Sequence, residues 1–312
     1  MKDIAIGIDI GGTAVKIGLV GKSGLPAEKW SFPTRTEENG RHIIDDISDS
    51  INKKISELKD REYNILGAGV GLPGFVDEDG TAHGSVNLGW TEPFNIEEVL
   101  SQKLRGLPVR ACNDANAAAL AEAWMGSARG YKSMMMVTLG TGIGGGIVTG
   151  GQILAGAHSC AGEIGHVCVN RDETAPCSCG RAGCLEQYAS APGLRRLIKE
   201  GLNTDMGLEE FWEKVRGGDE ACTGIAKRFG SYLGYALSMA AMTVDPEIFV
   251  IGGGMSHAGQ VILPFIREGY EDSVLPVCQN TPIVLAAMGN DAGIIGAAAL
   301  ALGNVRCTDT KI

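Results

Sequence analysis

The sequence predicts an α/β protein of two similar domains, and three observations carry that expectation. Apolar runs of strand length alternate with helix-like stretches, which favours mixed sheets covered by helices. Two strand, glycine-turn, strand hairpins recur about 130 residues apart, "IAIGIDIGGTAVKIGLV" near the start and "SMMMVTLGTGIGGGIVTGG" further on. At 312 residues the chain is long enough for two well-buried cores. Two similar domains facing each other would form a cleft for a ligand rich in phosphate.

The first hairpin turns through Asp9, Gly11, Gly12 and Thr13. Glycines there let backbone amides approach phosphate oxygens, because no Cβ intervenes and positive φ costs little. Taken singly, Asp9 reads as a turn residue. Beside these glycines it is also an acid able to hold a hydrated cation while amides and the Thr13 hydroxyl hold phosphate. A polar helix-like stretch follows near residues 40–60, then a strand and loop in "ILGAGVGLPGFVDEDG".

"PVRACNDANAAALAEAWMG" passes from a short strand into an alanine-rich helix, with Asn113 and Asp114 where the helix begins. Asp114 has two readings. It is a natural N-cap, and it is also a carboxylate fixed by helix geometry that could accept the proton of an attacking hydroxyl in phosphoryl transfer. The second hairpin turns through Gly140 to Gly146, where Thr138 and Thr141 offer hydroxyls matching Thr13. "EIFVIGGGM" reads as a buried strand ending in three glycines, and "GIIGAAALAL" as an apolar helix. The domain boundary is expected near residue 112, giving lobes over 1–112 and 113–299, with a helix over about 300–312 crossing back to the first.

Competing nucleotide folds are poorly supported. "GIDIGGT" lacks the full G-x-G-x-x-G spacing and leads into a strand rather than a helix, and the G-x-x-x-x-G-K-[ST] pattern is absent. Lys plus Arg number 27 against 37 Asp plus Glu, and no basic tract is present, which argues against a nucleic-acid partner. No signal segment opens the chain and no run of eighteen apolar residues occurs, so a cytoplasmic protein without a membrane partner is expected.

Nine cysteines fit a secreted disulfide scaffold badly, and six of them are scattered. Cys177, Cys179 and Cys184 are not: they crowd into "PCSCGRAGCLEQ". His166 lies eleven residues before Cys177, and a Cys3His set closes a tetrahedral site around zinc with no position left for water. A C-x-C disulfide would be strained, and no C-x-x-C partner supports a redox role, so these residues favour structural zinc over a redox pair or a chance cluster. Glu186 follows Cys184 by two residues, so fixing the metal would fix a carboxylate. Glu163 and His166, three apart, share a face if their segment turns helically. With Glu186 they make a set of acceptors and one imidazole suited to a polyhydroxylated ligand.

At these residues the sequence resembles the ROK family (repressors, open reading frames and kinases), especially its bacterial glucokinase branch. The resemblance rests on "DIGGT" from 9, "GLPG" from 71, "NLGW" from 87, "NDAN" from 113, the run from Leu139 to His166, "CSCGRAGCLE" from 177 and "IGGGM" from 251. It implies the actin-like ATPase fold of sugar kinases, Hsp70 and actin, with ATP between the lobes and Mg²⁺ on its phosphates. It implies Asp114 as catalytic base and Asn113, Glu163, His166 and Glu186 as sugar ligands, with Asn87 and the Gly74 loop on the other side of the sugar. Gly11, Gly12, Thr13 and the Gly140 to Gly142 turn would hold phosphates, and Gly252, Gly253 and Gly254 would approach the adenosine. The zinc ligands would be His166, Cys177, Cys179 and Cys184.

The activity so implied is transfer of phosphate from ATP to a hexose, glucose first. N-acetylmannosamine, N-acetylglucosamine, fructose and allose are the alternatives within the family, and a sugar-sensing repressor is the alternative class. The repressor reading expects a DNA-binding segment ahead of the phosphate hairpin, for which this sequence leaves no room. A homo-oligomer, dimer or tetramer, is also implied.

Overall fold

The computed structural model describes residues 2–58 and 63–303. From the start run β1 (Lys2–Ile10), β2 (Ala14–Gly21), β3 (Pro26–Pro33), α1 (Ile43–Glu57) and β4 (Tyr63–Leu72). Two short strands follow, β5 (Thr81–Ala82) and β6 (Phe94–Asn95), then α2 (Ile96–Lys103), β7 (Val109–Asn113) and α3 (Asp114–Trp124). The first sheet has the order β3-β2-β1-β4-β7. β1 and β2 form the antiparallel hairpin, while β4 is parallel to both β1 and β7. Centrally placed parallel strands are covered on both faces and therefore read as continuous apolar runs, as β1 does from Ile4 to Ile8. Edge strand β3 alternates instead. The polar stretch near 40–60 becomes α1, whose Ile43, Ile47 and Ile51 recur at helical spacing and are buried. Each such side chain contributes roughly 1.5–3 kcal/mol by burial.

The chain continues through β8 (Ser133–Leu139), β9 (Ile143–Thr149), β10 (Gln152–Ile153), α4 (Glu186–Ala189), α5 (Ala191–Leu202), α6 (Leu208–Arg216) and α7 (Glu220–Val244). It ends with β11 (Phe249–Gly252), α8 (Leu263–Glu271), β12 (Ile283–Leu285) and α9 (Ala292–Leu302). β11 runs parallel between β8 and β12. Helix α7 starts at the N-cap Asp219, whose carboxylate accepts from the Cys222 amide, and buries Ile225, Phe229, Leu233 and Leu237 along one face. Among the described residues, no helix is long and apolar enough to cross a membrane.

Two compact units result. One comprises Met1–Lys132, Gly146–Ala161 and Met288–Ile312, the other Ser133–Gly145 and Gly162–Ala287. The division therefore falls later than the expected residue 112. β7 hydrogen-bonds to β4 and α3 packs on α9, so the strand and helix flanking residue 113 belong with the first sheet. The C-terminal helix also differs from expectation: α9 starts at Ala292, lies against α3, β1 and β4, and stops at Gly303, whose φ of 60° ends the helix in the left-handed region. Residues 304–312 of the expected crossing helix lie outside the described residues.

Candidate active site

In the first unit the β1–β2 register sets Asp9 directly opposite Lys16, whose ammonium lies 3.3 Å from Oδ2. Burial pushes the Asp9 carboxyl upward, against the pull of Lys16. The turn beyond is tied down through its carbonyls: the Thr34 hydroxyl donates to Gly11 O at 2.6 Å and the Thr34 amide to Thr13 O at 3.0 Å. Gly12 and Thr13 stay exposed. Gly74 and Asn87 line one cavity of about 500 Å³, together with Phe75, Ser85 and Trp90.

The two readings of the helix start at 113–114 separate in the structure. Asn113 is the N-cap: its side-chain oxygen accepts from the Ala115 amide at 2.8 Å, and its Nδ2 donates to Gly74 O at 3.0 Å. That second bond joins the end of β7 to the Gly74 loop. Asp114 is the first helical residue and is exposed, with Oδ1 sharing the Ala115 amide at 2.8 Å. A carboxylate so placed is oriented by the helix and reachable by a ligand.

In the second unit the glycine turn and the "IGGGM" strand end meet. Gly252 pairs with Thr138 in the β8–β11 ladder, so Thr138 belongs to the strand and Thr141 to the turn. The Gly140 amide donates to Gly142 O at 2.9 Å, closing the turn. Gly140, Thr141 and Gly254 line a cavity of about 690 Å³ with Trp212, Arg216 and Met255. Trp212 and Arg216 come from α6, whose amphipathic pattern carries no signal of a binding role; sequence reasoning missed them. The volume is in the range of small-molecule and cofactor sites.

The thiol loop is built by short turns. The Cys177 amide donates to Arg181 O at 2.6 Å and the Gly180 amide to Cys177 O at 2.9 Å, which folds Cys177 and Cys179 towards one side. Donor atoms of His166, Cys177, Cys179 and Cys184 all lie within 4.8 Å of one another. The sulfurs of Cys179 and Cys184 are 3.6 Å apart, and Cys177 Sγ is 3.8 Å from His166 Nδ1. A zinc tetrahedron with Zn–S of 2.3 Å has an S···S edge of about 3.8 Å, so donor type and spacing fit that ion. Hydrogen bonding by Arg181 holds the Cys179 thiol well below the usual range, while burial pushes Cys184 up.

Around this loop stand the three expected polar groups. The segment carrying His166 makes a single 3-10 turn, Ile164–His166, with Glu163 as its N-cap residue. Burial is the main cause that raises the Glu163 carboxyl; His166 opposes it and the Glu186 charge adds to it. Glu186 opens α4, accepting from the Ile143 amide on Oε2 at 3.0 Å and from the Ser178 hydroxyl on Oε1 at 3.0 Å. Ser178 lies between two of the thiols. One hydrogen bond thus joins the loop to the Glu186 carboxylate.

The profile of the ROK family matches residues 5–304. The chain belongs to the ROK family. This ROK protein is 38% identical over 307 residues to the glucokinase of Halalkalibacterium halodurans, covering 93% of this chain and 92% of that one. It is 31% identical to the N-acetyl-D-glucosamine kinase of Pectobacterium atrosepticum, over 95% of this chain and 98% of that one. The crystal structure of a ROK family glucokinase from Streptomyces griseus, in complex with glucose and AMPPNP, superposes with a TM-score of 0.74 at 30% identity, covering 96% of this chain and all of that one (100%). The fold is the actin-like ATPase fold of ROK sugar kinases.

One network behind the thiol loop had no sequence signal. Glu173 accepts from Arg196 at 2.7 Å and from the Tyr188 hydroxyl at 2.7 Å, and the Arg196 guanidinium lies 4.7 Å from the Tyr188 ring centroid. Arg196, with the Ala175 amide and Tyr188, holds the Glu173 carboxyl down at about 2. A depressed folded pKa stabilises above the unfolded value, near 4.5, and that contribution is lost as pH falls towards 2. Glu173→Gln is therefore expected to melt below the parent protein at pH 6, with the gap closing between pH 4.5 and 2. Thermal unfolding across that range checks it; a gap independent of pH would show that the network owes nothing to the Glu173 charge.

Proposed function

We propose that this protein transfers the γ-phosphoryl group of ATP to a hydroxyl of a hexose, with glucose as the preferred acceptor. The observation that carries the reading is the division of labour at the start of α3. Asn113 caps the helix and anchors the Gly74 loop, which leaves Asp114 as an exposed, rigidly mounted carboxylate. In that role Asp114 orients the attacking hydroxyl and accepts its proton as the bond to phosphorus forms. Gly74, Asn87 and Asn113 hold the sugar beside it. Glu163, His166 and Glu186 accept from and donate to the remaining hydroxyls, and an acceptor lacking one of those hydroxyls would leave a buried group unpaired.

The nucleotide occupies the second-unit cavity, with Gly252, Gly253 and Gly254 near the adenosine and the turn of Gly140, Thr141 and Gly142 near the phosphates. Thr138 stands behind that turn. Gly11, Gly12 and Thr13 contact the phosphates, and Asp9 holds the hydration shell of Mg²⁺, which when bound neutralises charge on the transferring group. His166, Cys177, Cys179 and Cys184 would hold a structural zinc, with one imidazole nitrogen of His166 on the metal and the other donating to a sugar hydroxyl.

ADP release with Mg²⁺ and ATP across glucose, mannose, fructose, glucosamine, N-acetylglucosamine and N-acetylmannosamine tests the reading. Glucose should give the highest kcat/KM. A maximum on N-acetylglucosamine would move the acceptor to the class named by the Pectobacterium relative. No turnover on any sugar, from folded protein, would overturn the kinase reading in favour of a sugar sensor.

A further inference from the structure

Most glycines in and beneath α9 face backbone. A Cβ on Gly69 would stand 1.7 Å from the Ala297 carbonyl oxygen, and one on Gly296 would stand 1.6 Å from that of Ala117. Packed backbone has nowhere to go, so these positions are requirements of helix–sheet and helix–helix approach. Gly293, in the first turn of α9, faces something else. A Cβ there would lie 2.5 Å from Asp9 Cγ and 2.8 Å from each of its carboxylate oxygens. All three atoms of the carboxylate rest on the surface left bare by the missing side chain.

An aspartate side chain has two rotatable bonds, so a methyl group at 293 would move the carboxylate and leave the helix in place. Local propensity gives no reason for glycine here, since alanine normally stabilises a helix relative to glycine. Asp9 is also held by Lys16, at 3.3 Å across the β1–β2 ladder. Ammonium and bare helix turn together leave the carboxylate little freedom.

We propose that Gly293 is a positioning residue for the metal–nucleotide site: its bare Cα is the seat that holds the Asp9 carboxylate where a hydrated divalent cation on the phosphates meets it. The inference rests on the role given to Asp9 above. It adds a residue 284 positions away in sequence that touches neither metal nor nucleotide.

The test uses Asp9→Ala, Gly293→Ala and the double variant of the full chain. Mn²⁺ binding is read by electron paramagnetic resonance in the presence of a non-hydrolysable ATP analogue. Binding of the analogue without metal is read by calorimetry, and thermal midpoints serve as the fold control. Gly293→Ala should keep or raise the midpoint, leave metal-free nucleotide affinity unchanged, and weaken Mn²⁺ binding about 10- to 100-fold, the scale of losing an outer-shell partner of a metal site. Added to Asp9→Ala, the same substitution should do nothing further, because the atoms it displaces are gone.

Unchanged Mn²⁺ affinity in Gly293→Ala, or an equal loss in both backgrounds, overturns the inference. If Asp9→Ala alone loses metal and Gly293→Ala does not, the role of Asp9 stands and only the seat falls. If Asp9→Ala binds Mn²⁺ normally, the role of Asp9 falls and takes the seat with it. Should Gly293→Ala fail to fold, a folded double variant would still support the contact with Asp9, whereas an unfolded one would overturn it.

Discussion

Asp114→Asn is expected to lower turnover on glucose by roughly 10²- to 10⁴-fold, the range usual for loss of a positioned general base. Glucose affinity should stay within a few-fold of the parent. The substitution is a clean one because the helix does not depend on it: Asn113 supplies the cap, and an asparagine at 114 still offers an oxygen to the Ala115 amide. The amide keeps the shape of the carboxylate and loses its charge and its capacity to take a proton. kcat from ADP release, with the glucose dissociation constant from tryptophan fluorescence, separates the two effects. Turnover near that of the parent would remove Asp114 from the base role, and a parallel loss of sugar binding would make it a binding residue instead.

Metal loss is expected to have the second large effect. Protein purified without chelator should carry about one zinc per chain, and Cys184→Ala should lose it. Zinc-finger peptides gain about 10–16 kcal/mol of apparent binding energy from such sites at neutral pH, and this loop has few apolar residues to replace that tether. If even ~4 kcal/mol of this reaches the stability of the fold, the melting temperature falls by roughly 10 °C.

The second consequence is more specific. Ser178 sits between Cys177 and Cys179 and holds Glu186 Oε1 at 3.0 Å, so a loop without the proposed metal would release that contact and leave the Ile143 amide on the other oxygen. Cys179→Ser should therefore weaken glucose binding about tenfold as well as lowering the melting temperature, and Ser178→Ala should weaken glucose binding with zinc retained. Elemental analysis with calorimetric titration of glucose decides the matter. Zinc-free native protein would sink the metal assignment, and an unchanged glucose affinity in folded Cys179→Ser would sink the coupling alone.

Much of the candidate site was legible because its signals are local. Three thiols in eight positions, a glycine turn between apolar runs, and Asn-Asp ahead of an alanine-rich helix each state their chemistry within a few residues. Local pattern could not say which of Asn113 and Asp114 caps the helix, because both are good caps. That choice required the Gly74 carbonyl, 39 residues away, which holds the Asn113 amide and so gives the cap to Asn113. The α6 side chains of the second cavity were invisible for a related reason. Trp212 reads as an ordinary member of a buried helix face, and nothing in its neighbours says that part of that face borders a cavity.

By itself, then, the sequence determined the α/β class, the repeated hairpins, the Cys3His set and the family, all of which rest on short-range spacing and composition. Only the tertiary structure decided which unit the α3 segment joins, that Ser178 links the thiol loop to Glu186, and that Gly293 lies under Asp9. Hydrophobic periodicity says which face of an element is buried but not against what. Contacts between residues far apart in the chain are set by how whole elements pack, through close backbone approaches that leave no mark on the local pattern.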